Sequence, residues 1–152
     1  MDYKIIKLYP ENYFKCANIW DMDRDPNRTS KYYNELISGS RETFVYEKEG
    51  EYLGEGSLVF ANNDPDYTIP GKRVYLSRMI IKKEYRNKGI GSIIIDYLLD
   101  YAKAQGFKEI SVGVDIDNTV AWHLYEKKGF NNVIFEGEDD AGKYVKLLKE
   151  LK

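Results

Sequence analysis

The fold is decided by one stretch, which reads Ile81-Lys82-Lys83-Glu84-Tyr85-Arg86-Asn87-Lys88-Gly89-Ile90-Gly91-Ser92. Apolar and β-branched residues dominate residues 74–81, and a helix-like apolar run begins at Ile90. Between them lies a polar turn with two glycines and the cations Arg86 and Lys88. A helix N-terminus presents main-chain N–H groups without partners, and together with the helix dipole these groups suit a phosphate. The stretch therefore predicts an anion-binding turn between a strand and a helix.

Taken alone, the pattern R-x-x-G-x-G is short and common, and a purely structural strand–helix turn explains it equally well. It differs from the Walker pattern because no Gly-Lys-Ser/Thr closes the loop. It also differs from the dinucleotide fingerprint G-x-G-x-x-G. Phosphate hydrolysis by a P-loop and hydride transfer are therefore disfavoured.

The composition is that of one globular domain, which we expect to span residues 1–152. Hydrophobic residues make up 43% of the chain, charged residues 32%, and the net charge of −2 indicates no bulk attraction to nucleic acid. Cys16 is the single cysteine, which excludes an internal disulfide and a thiolate-rich metal site. There is no basic-then-apolar leader and no apolar run approaching about 18 residues, so we expect a cytoplasmic protein.

The rest of the chain predicts the element order β-α-α-β-β-β-α-β-α-β-β, an α/β domain with a mixed sheet covered by helices. Pro10 is expected to open the first helix, and Thr29 or Ser30 to cap the second. Gly54 and Gly56 interrupt the strand over residues 52–60, which indicates a bulge or a close approach of another chain segment.

A second pattern follows the predicted strand over residues 109–115. It reads Asn118-x-x-Ala121-x-x-x-Tyr125-x-x-x-Gly129-Phe130. Its parts have simple structural explanations, because asparagine caps helices and glycine ends them. Paired with R-x-x-G-x-G, however, the pattern resembles the GNAT family of acetyl-CoA-dependent N-acyltransferases. The resemblance covers residues 74–130 in detail. It implies the GNAT fold, a mixed twisted sheet flanked by helices, with acetyl-CoA as co-substrate and no metal.

The resemblance implies a role for each residue of the two motifs. The turn binds the CoA pyrophosphate, largely through main-chain N–H groups, with Arg86, Asn87, Lys88, Gly89, Ile90, Gly91 and Ser92. The main chain of Met79, Ile80 and Ile81 pairs with the pantetheine arm, which fills a gap beside the next strand. Asn118 contacts the arm, and Tyr125 lies near the thioester sulfur. Lys127 or Lys128 reaches the adenosine 3′-phosphate, although a solvated helix face also explains both lysines.

The implied reaction is direct transfer of an acetyl group to a primary amine of a small molecule or peptide. The amine must lose a proton before it attacks, and the departing thiolate needs a donor, for which Tyr125 is suited. A main-chain N–H of the long strand can hold the oxyanion. The glutamate base of many members stands at one of two positions, which are Tyr75 and Gly113 here. The remaining candidates are Glu55, Asp115, and Tyr75 acting through water.

We predict Glu55 as the base, because Gly54 and Gly56 beside it leave room for a ligand. An exposed strand carboxylate explains the same residue. Cys16 is expected to be a buried small residue, and His123 a residue of the helix surface or of its packing.

The acceptor is predicted to enter between the Trp20–Arg28 loop and the turn around Tyr67–Gly71. Because these segments are acidic, the acceptor is predicted to be cationic, such as a polyamine, an aminosugar or a peptide amine. Solubility explains the same residues, which are Asp21, Asp23, Asp25, Asp64 and Asp66. Nucleic-acid and membrane partners are not expected, and the resemblance implies a homodimer. Two other functions remain open. The chain could be a catalytically weak CoA-binding, CoA-sensing or interaction domain of the same fold, or its turn could bind another phosphate ligand such as a nucleotide.

Overall fold

The computed structural model describes residues 2–152, which form one seven-stranded mixed sheet with helices beside it. The strands are β1 (Tyr3–Lys7), β2 (Arg41–Lys48), β3 (Glu51–Val59), β4 (Arg73–Ile81), β5 (Glu109–Asp115), β6 (Asn132–Asp139) and β7 (Gly142–Glu150). Their order in the sheet is β1-β2-β3-β4-β5-β7-β6. The α-helices are α1 (Pro26–Ser38), α2 (Ile90–Ala104) and α3 (Thr119–Lys127). The predicted fold class and element order are confirmed.

The chain divides into two compact units. The first unit contains the chain up to Leu58 together with Arg78–Leu98, and the second contains Val59–Ser77 and Leu99–Lys152. The expectation that residues 1–152 form a single domain stays a prediction. No helix within residues 2–152 is both long and apolar enough to cross a membrane.

The first helical segments differ from the expectation. The helix that Pro10 opens is a 3-10 helix, Pro10–Asn18, and a short 3-10 turn, Met22–Arg24, follows it. Helix α1 begins earlier than predicted, because the Asp25 side chain caps it by accepting from the Arg28 N–H at 3.1 Å. Thr29, the expected cap, instead lies inside the helix, where its hydroxyl donates to two main-chain carbonyls. The helix ends at Gly39 as predicted.

In the first unit, two glycines of β3 let α2 pack closely onto the sheet. A Cβ on Gly54 would lie 2.8 Å from Cδ1 of Ile81, and one on Gly56 would lie 2.6 Å from Cγ2 of Ile94. A side chain at Gly56 would therefore displace side chains of α2, and one at Gly54 would displace the Ile81 side chain of β4 first. The predicted close approach is confirmed, and apolar side chains of the protein fill the space.

In the second unit, β5 is the central strand. It pairs with β4 in parallel, over Arg73–Leu76 and Glu109–Val112, and with β7 in antiparallel register. Strand β6 pairs with β7 at the sheet edge. Alternate residues of β5, namely Ile110, Val112 and Val114, are buried, which confirms the predicted face.

Candidate functional site

The predicted phosphate turn lies in the first unit, between β4 and α2. Residues 86–89 are exposed, and positive φ angles at Asn87 (63°) and Gly89 (84°) turn the chain into the helix. The main-chain N–H groups of residues 90–92 open α2, and no carbonyl within residues 2–152 accepts from them in a turn or cap. The Arg86 Nε donates to the Ile81 carbonyl at 3.1 Å, which fixes the start of the turn against the end of β4. The turn thus presents free N–H donors and two cations at the N-terminus of a fifteen-residue helix.

The strand that leads into this turn leaves its parallel ladder early. The ladder with β5 ends at Leu76, whereas β4 itself continues to Ile81. Met79, Ile80 and Ile81, predicted to pair with the pantetheine arm, belong to this last part of β4. They lie in the same unit as the turn.

Asn118 and Tyr125 lie together on α3, in the second unit. The Asn118 Oδ1 accepts from the Ala121 N–H at 3.2 Å, so this side chain caps the helix as predicted. Tyr125 is 6% exposed and packs edge-on against Phe130, with 5.6 Å between the ring centroids. Burial raises the pKa of its hydroxyl to about 12, and the hydroxyl is therefore protonated at neutral pH. It can act as a hydrogen-bond donor there.

Glu55 is buried, with 3% of its surface exposed, so the alternative of an exposed strand carboxylate is wrong. Its Oε1 accepts a hydrogen bond from Nε1 of Trp20 at 2.7 Å. Burial raises the pKa of Glu55, and the positive charge of Arg78 offsets part of that rise. Ile81 and side chains of α2 fill the space beside Gly54 and Gly56. The prediction that a ligand occupies this space is therefore wrong. The role of Glu55 as a base stays a prediction.

The sequence analysis gave Tyr67 no role beyond its place in the turn where the acceptor is predicted to enter. A Cβ on Gly113 would collide with the Tyr67 hydroxyl, so this ring takes the place that a side chain at position 113 would need. Tyr67 also stacks on Tyr75, with 4.0 Å between the ring centroids. Tyr67 therefore lies against Tyr75 and Gly113, the two positions at which some family members carry a glutamate. No periodicity marks it in the sequence, because it stands in a loop between two turn signals.

The acidic loops are largely occupied by the protein itself. Lys146, whose side chain is 8% exposed, contacts Asp64 at 2.7 Å and Asp66 at 3.1 Å. Asp21 and Asp25 accept main-chain hydrogen bonds at the starts of two helical segments. Asp23 is exposed and could contact a cationic substrate. Lys146 therefore offsets the charge of Asp64 and Asp66, whereas Asp21 and Asp23 keep theirs, and a cationic acceptor stays a prediction.

The other titratable candidates are one buried thiol and several exposed side chains. Cys16 is fully buried in an apolar cluster, and burial raises the pKa of its thiol, which confirms its expected packing role. His123 has a side chain 82% exposed on α3, and Asp115 and Lys127 are exposed as well. Within residues 2–152 no group of three or more histidine, cysteine or acidic side chains is arranged to hold a metal ion.

An open groove of about 620 Å³ lies in the second unit, away from these residues. It is lined by the C-terminal residues and by Leu99, Lys103 and Gly129. None of the site residues predicted from the sequence contributes to its lining. Its volume therefore does not bear on the assignment of the site.

Comparison with known proteins gives one consistent result. The model of the Acetyltransferase (GNAT) family matches residues 3–130. The N-alpha-acetyltransferase 30 of Schizosaccharomyces pombe is 38% identical over 58 residues, 38% of this chain and 39% of that protein. The spermine/spermidine N(1)-acetyltransferase of Bacillus subtilis (strain 168) is 32% identical over 121 residues, 76% of this chain and 77% of that protein. An N-acetyltransferase structure from Staphylococcus aureus Mu50 matches all of both chains, with a TM-score of 0.78 and 19% identity.

Proposed function

Because the chain belongs to the GNAT family of acetyltransferases, we propose that it transfers an acetyl group from acetyl-CoA to a primary amine of a small molecule or peptide. One observation carries the proposal. The N–H groups of residues 90–92, which open α2 beside Arg86 and Lys88, form an anion site at the N-terminus of this helix. A CoA pyrophosphate is the anion that the family match supports at this position.

The donor site would extend from this turn along the end of β4. Met79, Ile80 and Ile81 lie past the end of the β4–β5 ladder, which supports main-chain pairing with the amide groups of a pantetheine arm. A main-chain N–H in this part of β4 would also stabilise the oxyanion that forms when the amine attacks. No covalent protein intermediate is needed.

Glu55 is the proposed base and Tyr125 the proposed hydrogen-bond donor to sulfur. The amine nitrogen bonds to the acetyl carbon, the carbon–sulfur bond breaks, and the amine proton passes to the Glu55 carboxylate. A raised pKa makes that carboxylate a stronger base than an exposed glutamate. The protonated Tyr125 hydroxyl stabilises the CoA thiolate until it takes a proton.

The donor is tested by thermal unfolding with millimolar acetyl-CoA, CoA or ATP. A ligand present at a hundred times its Kd stabilises a protein by about 2.7 kcal/mol, which would raise Tm by about 5–10 °C for a chain of this size. We expect this rise with acetyl-CoA and CoA, and none with ATP. No rise with acetyl-CoA would overturn the proposal, and a rise with ATP alone would identify a nucleotide site.

Turnover is tested by the release of free CoA thiol with a panel of amines. Thiol release that depends on the amine, together with the N-acetylated product by mass spectrometry, supports the transferase. Acetyl-CoA binding without release for any amine supports a catalytically weak CoA-binding or CoA-sensing domain instead. The two measurements therefore separate donor binding from chemistry.

A further inference from the structure

Arg78 is a cation of the first unit to which neither motif assigns a role. It stands on β4, one strand position or about 3.3 Å before Met79. Its guanidinium carbon lies 4.6 Å from the ring centroid of Trp20 and 5.7 Å from that of Tyr32. The half-buried guanidinium is therefore held against aromatic rings, on the side of the sheet that carries α1.

The protein supplies no acceptor for this guanidinium. Within residues 2–152 no hydrogen bond or ion pair reaches Arg78, and its buried Nε lacks a partner. Arg41, the other arginine on the Tyr32 ring, is by contrast paired with Glu35 at 2.8 Å. The buried Nε is out of a ligand's reach, so an in-plane acceptor would meet the two Nη groups of the Arg78 guanidinium.

The nearest carboxylate does not replace such an acceptor. Glu55 contributes an attractive charge to Arg78, but the two make no ion pair within 4.0 Å, and Glu55 bonds to Trp20 instead. The negative charge of Glu55, close enough to interact with Arg78, also repels a doubly charged anion such as a phosphate monoester more strongly than a singly charged one. The site therefore suits a singly charged, planar acceptor.

We propose that the amine acceptor carries a carboxylate, which Arg78 binds through its N–H fork while Trp20 holds the guanidinium plane. The acceptor is thus an amino acid or a peptide with a nearby carboxylate, and not a simple polyamine. This inference rests on the proposed transferase function. The choice of a carboxylate follows from the geometry of the Arg78 guanidinium, because two N–H donors in one plane can bind both oxygens of a carboxylate.

The test compares amines that differ only by a carboxylate. L-lysine is paired with cadaverine, L-ornithine with putrescine, and alanyl-alanine with its C-terminal amide; spermine is a further arm. We expect kcat/KM to favour the carboxylate member by about 10–100-fold, the value of one charge-assisted bidentate contact. Equal kcat/KM within every pair, or preferred turnover of spermine, would overturn the inference.

The variants test whether Arg78 causes the preference. Arg78→Met should abolish it, Arg78→Lys should restore part of it, and Kd for acetyl-CoA should stay the same in both. Arg24→Met, which changes an exposed arginine in the 3-10 turn Met22–Arg24, is the matched control and should keep the preference. A preference that survives in folded Arg78→Met would also overturn the inference.

A binding measurement separates this inference from the transferase proposal. Trp20 and Trp122 are the two tryptophans, so fluorescence in a Trp122→Phe background reports on the ring that Arg78 covers. Nα-acetyl-L-ornithine and N-acetylputrescine are titrated into the CoA-saturated protein. Tighter binding of the carboxylate compound supports the inference even if no amine is turned over, and equal binding rejects it even if amines are acetylated.

Discussion

The Tyr67 hydroxyl lies where the side chain of any residue other than glycine at position 113 would begin. Three other contacts hold Tyr67 in place. Its main-chain carbonyl accepts from Ser111 Oγ at 2.7 Å, its face stacks on Tyr75, and the Lys146 ammonium lies 4.9 Å from its centroid. Gly113 and Tyr67 therefore form a matched pair, in which the absence of one side chain makes room for the other.

The first prediction concerns this pair. Gly113→Ala should lower the free energy of unfolding by about 1–3 kcal/mol, because the added methyl group overlaps the Tyr67 hydroxyl. In a Tyr67→Phe background the cost should fall, since the nearest remaining ring atom lies 3.2 Å away. Urea unfolding of the two single variants and the double variant measures the coupling. Strictly additive costs would show that the ring moves freely out of the way.

The second prediction concerns Gly89 in the phosphate turn. Gly89→Ala strains a backbone with φ of 84° and adds no steric contact, and it should lower stability by about 1 kcal/mol. It should also weaken acetyl-CoA binding, because the N–H groups around it turn away from the pyrophosphate. Gly71→Ala, with φ of 71° and equally open space, is the control.

The control should lose similar stability and keep its acetyl-CoA affinity. Isothermal titration with acetyl-CoA measures both variants. Equal affinity losses at the two glycines would assign the effect to general strain, and an unchanged affinity in Gly89→Ala would argue against a pyrophosphate at this turn.

The third prediction concerns the Tyr125 hydroxyl. Tyr125→Phe keeps the ring that packs on Phe130 and removes only the donor. We expect kcat to fall by about 10²-fold, as for the loss of one acid–base group, with little change in the Kd of acetyl-CoA. Tyr9→Phe, at a ring 53% exposed, serves as the control. If both variants turn over at the wild-type rate, the hydroxyl has no role in sulfur departure.

The fourth prediction concerns Glu55. Its pKa is raised by burial, so the rising limb of kcat/KM against pH should lie above the ordinary range of a glutamate. Glu55→Gln keeps an oxygen for Trp20 and removes the base, so this limb should disappear and kcat should fall by about 10²-fold or more at neutral pH. Glu51→Gln on the same strand changes an exposed carboxylate and should leave the profile intact. An unaltered profile in Glu55→Gln would leave Asp115 or Tyr75 as the base.

The fifth prediction concerns Lys146 and acid stability. Burial raises the pKa of Asp64, but the hydrogen bonds from Lys146 and the Asp66 N–H outweigh it, so the net pKa is lowered. Such a carboxylate stabilises the fold above its unfolded pKa and loses that contribution as the pH falls through its folded pKa. Lys146→Met should therefore cost about 1–3 kcal/mol at neutral pH, and the difference from wild type should shrink below about pH 4.

Lys143→Met, at an exposed lysine of the same strand, is the control for the loss of one charge. Urea unfolding at a series of pH values measures all three proteins. A Lys146→Met deficit that is the same at acid and neutral pH would assign the effect to packing on Phe135 and not to the ion pair.

Local structure could be predicted from the sequence wherever a residue type strongly prefers one backbone position. Glu109–Asp115 alternates apolar and polar residues and forms β5, Asn118 caps α3, and Gly39 ends α1. The predicted start of α1 was wrong because Asp25, Thr29 and Ser30 all suit a helix N-cap. In the structure Asp25 is the N-cap, since Pro26 fits the first helical position and the Thr29 hydroxyl donates to main-chain carbonyls from inside the helix.

The sequence alone determined the fold class and the position of the turn between β4 and α2, because periodicity, glycine and capping act over neighbouring residues. Only the tertiary structure decided that Glu55 is buried, that Tyr67 fills the place beside Gly113, and that Lys146 occupies the acidic loop. It also placed the Arg78 guanidinium on the Trp20 ring. Each of these pairings joins residues that are distant in the chain, and burial and pairing of charge depend on which segments the fold brings together.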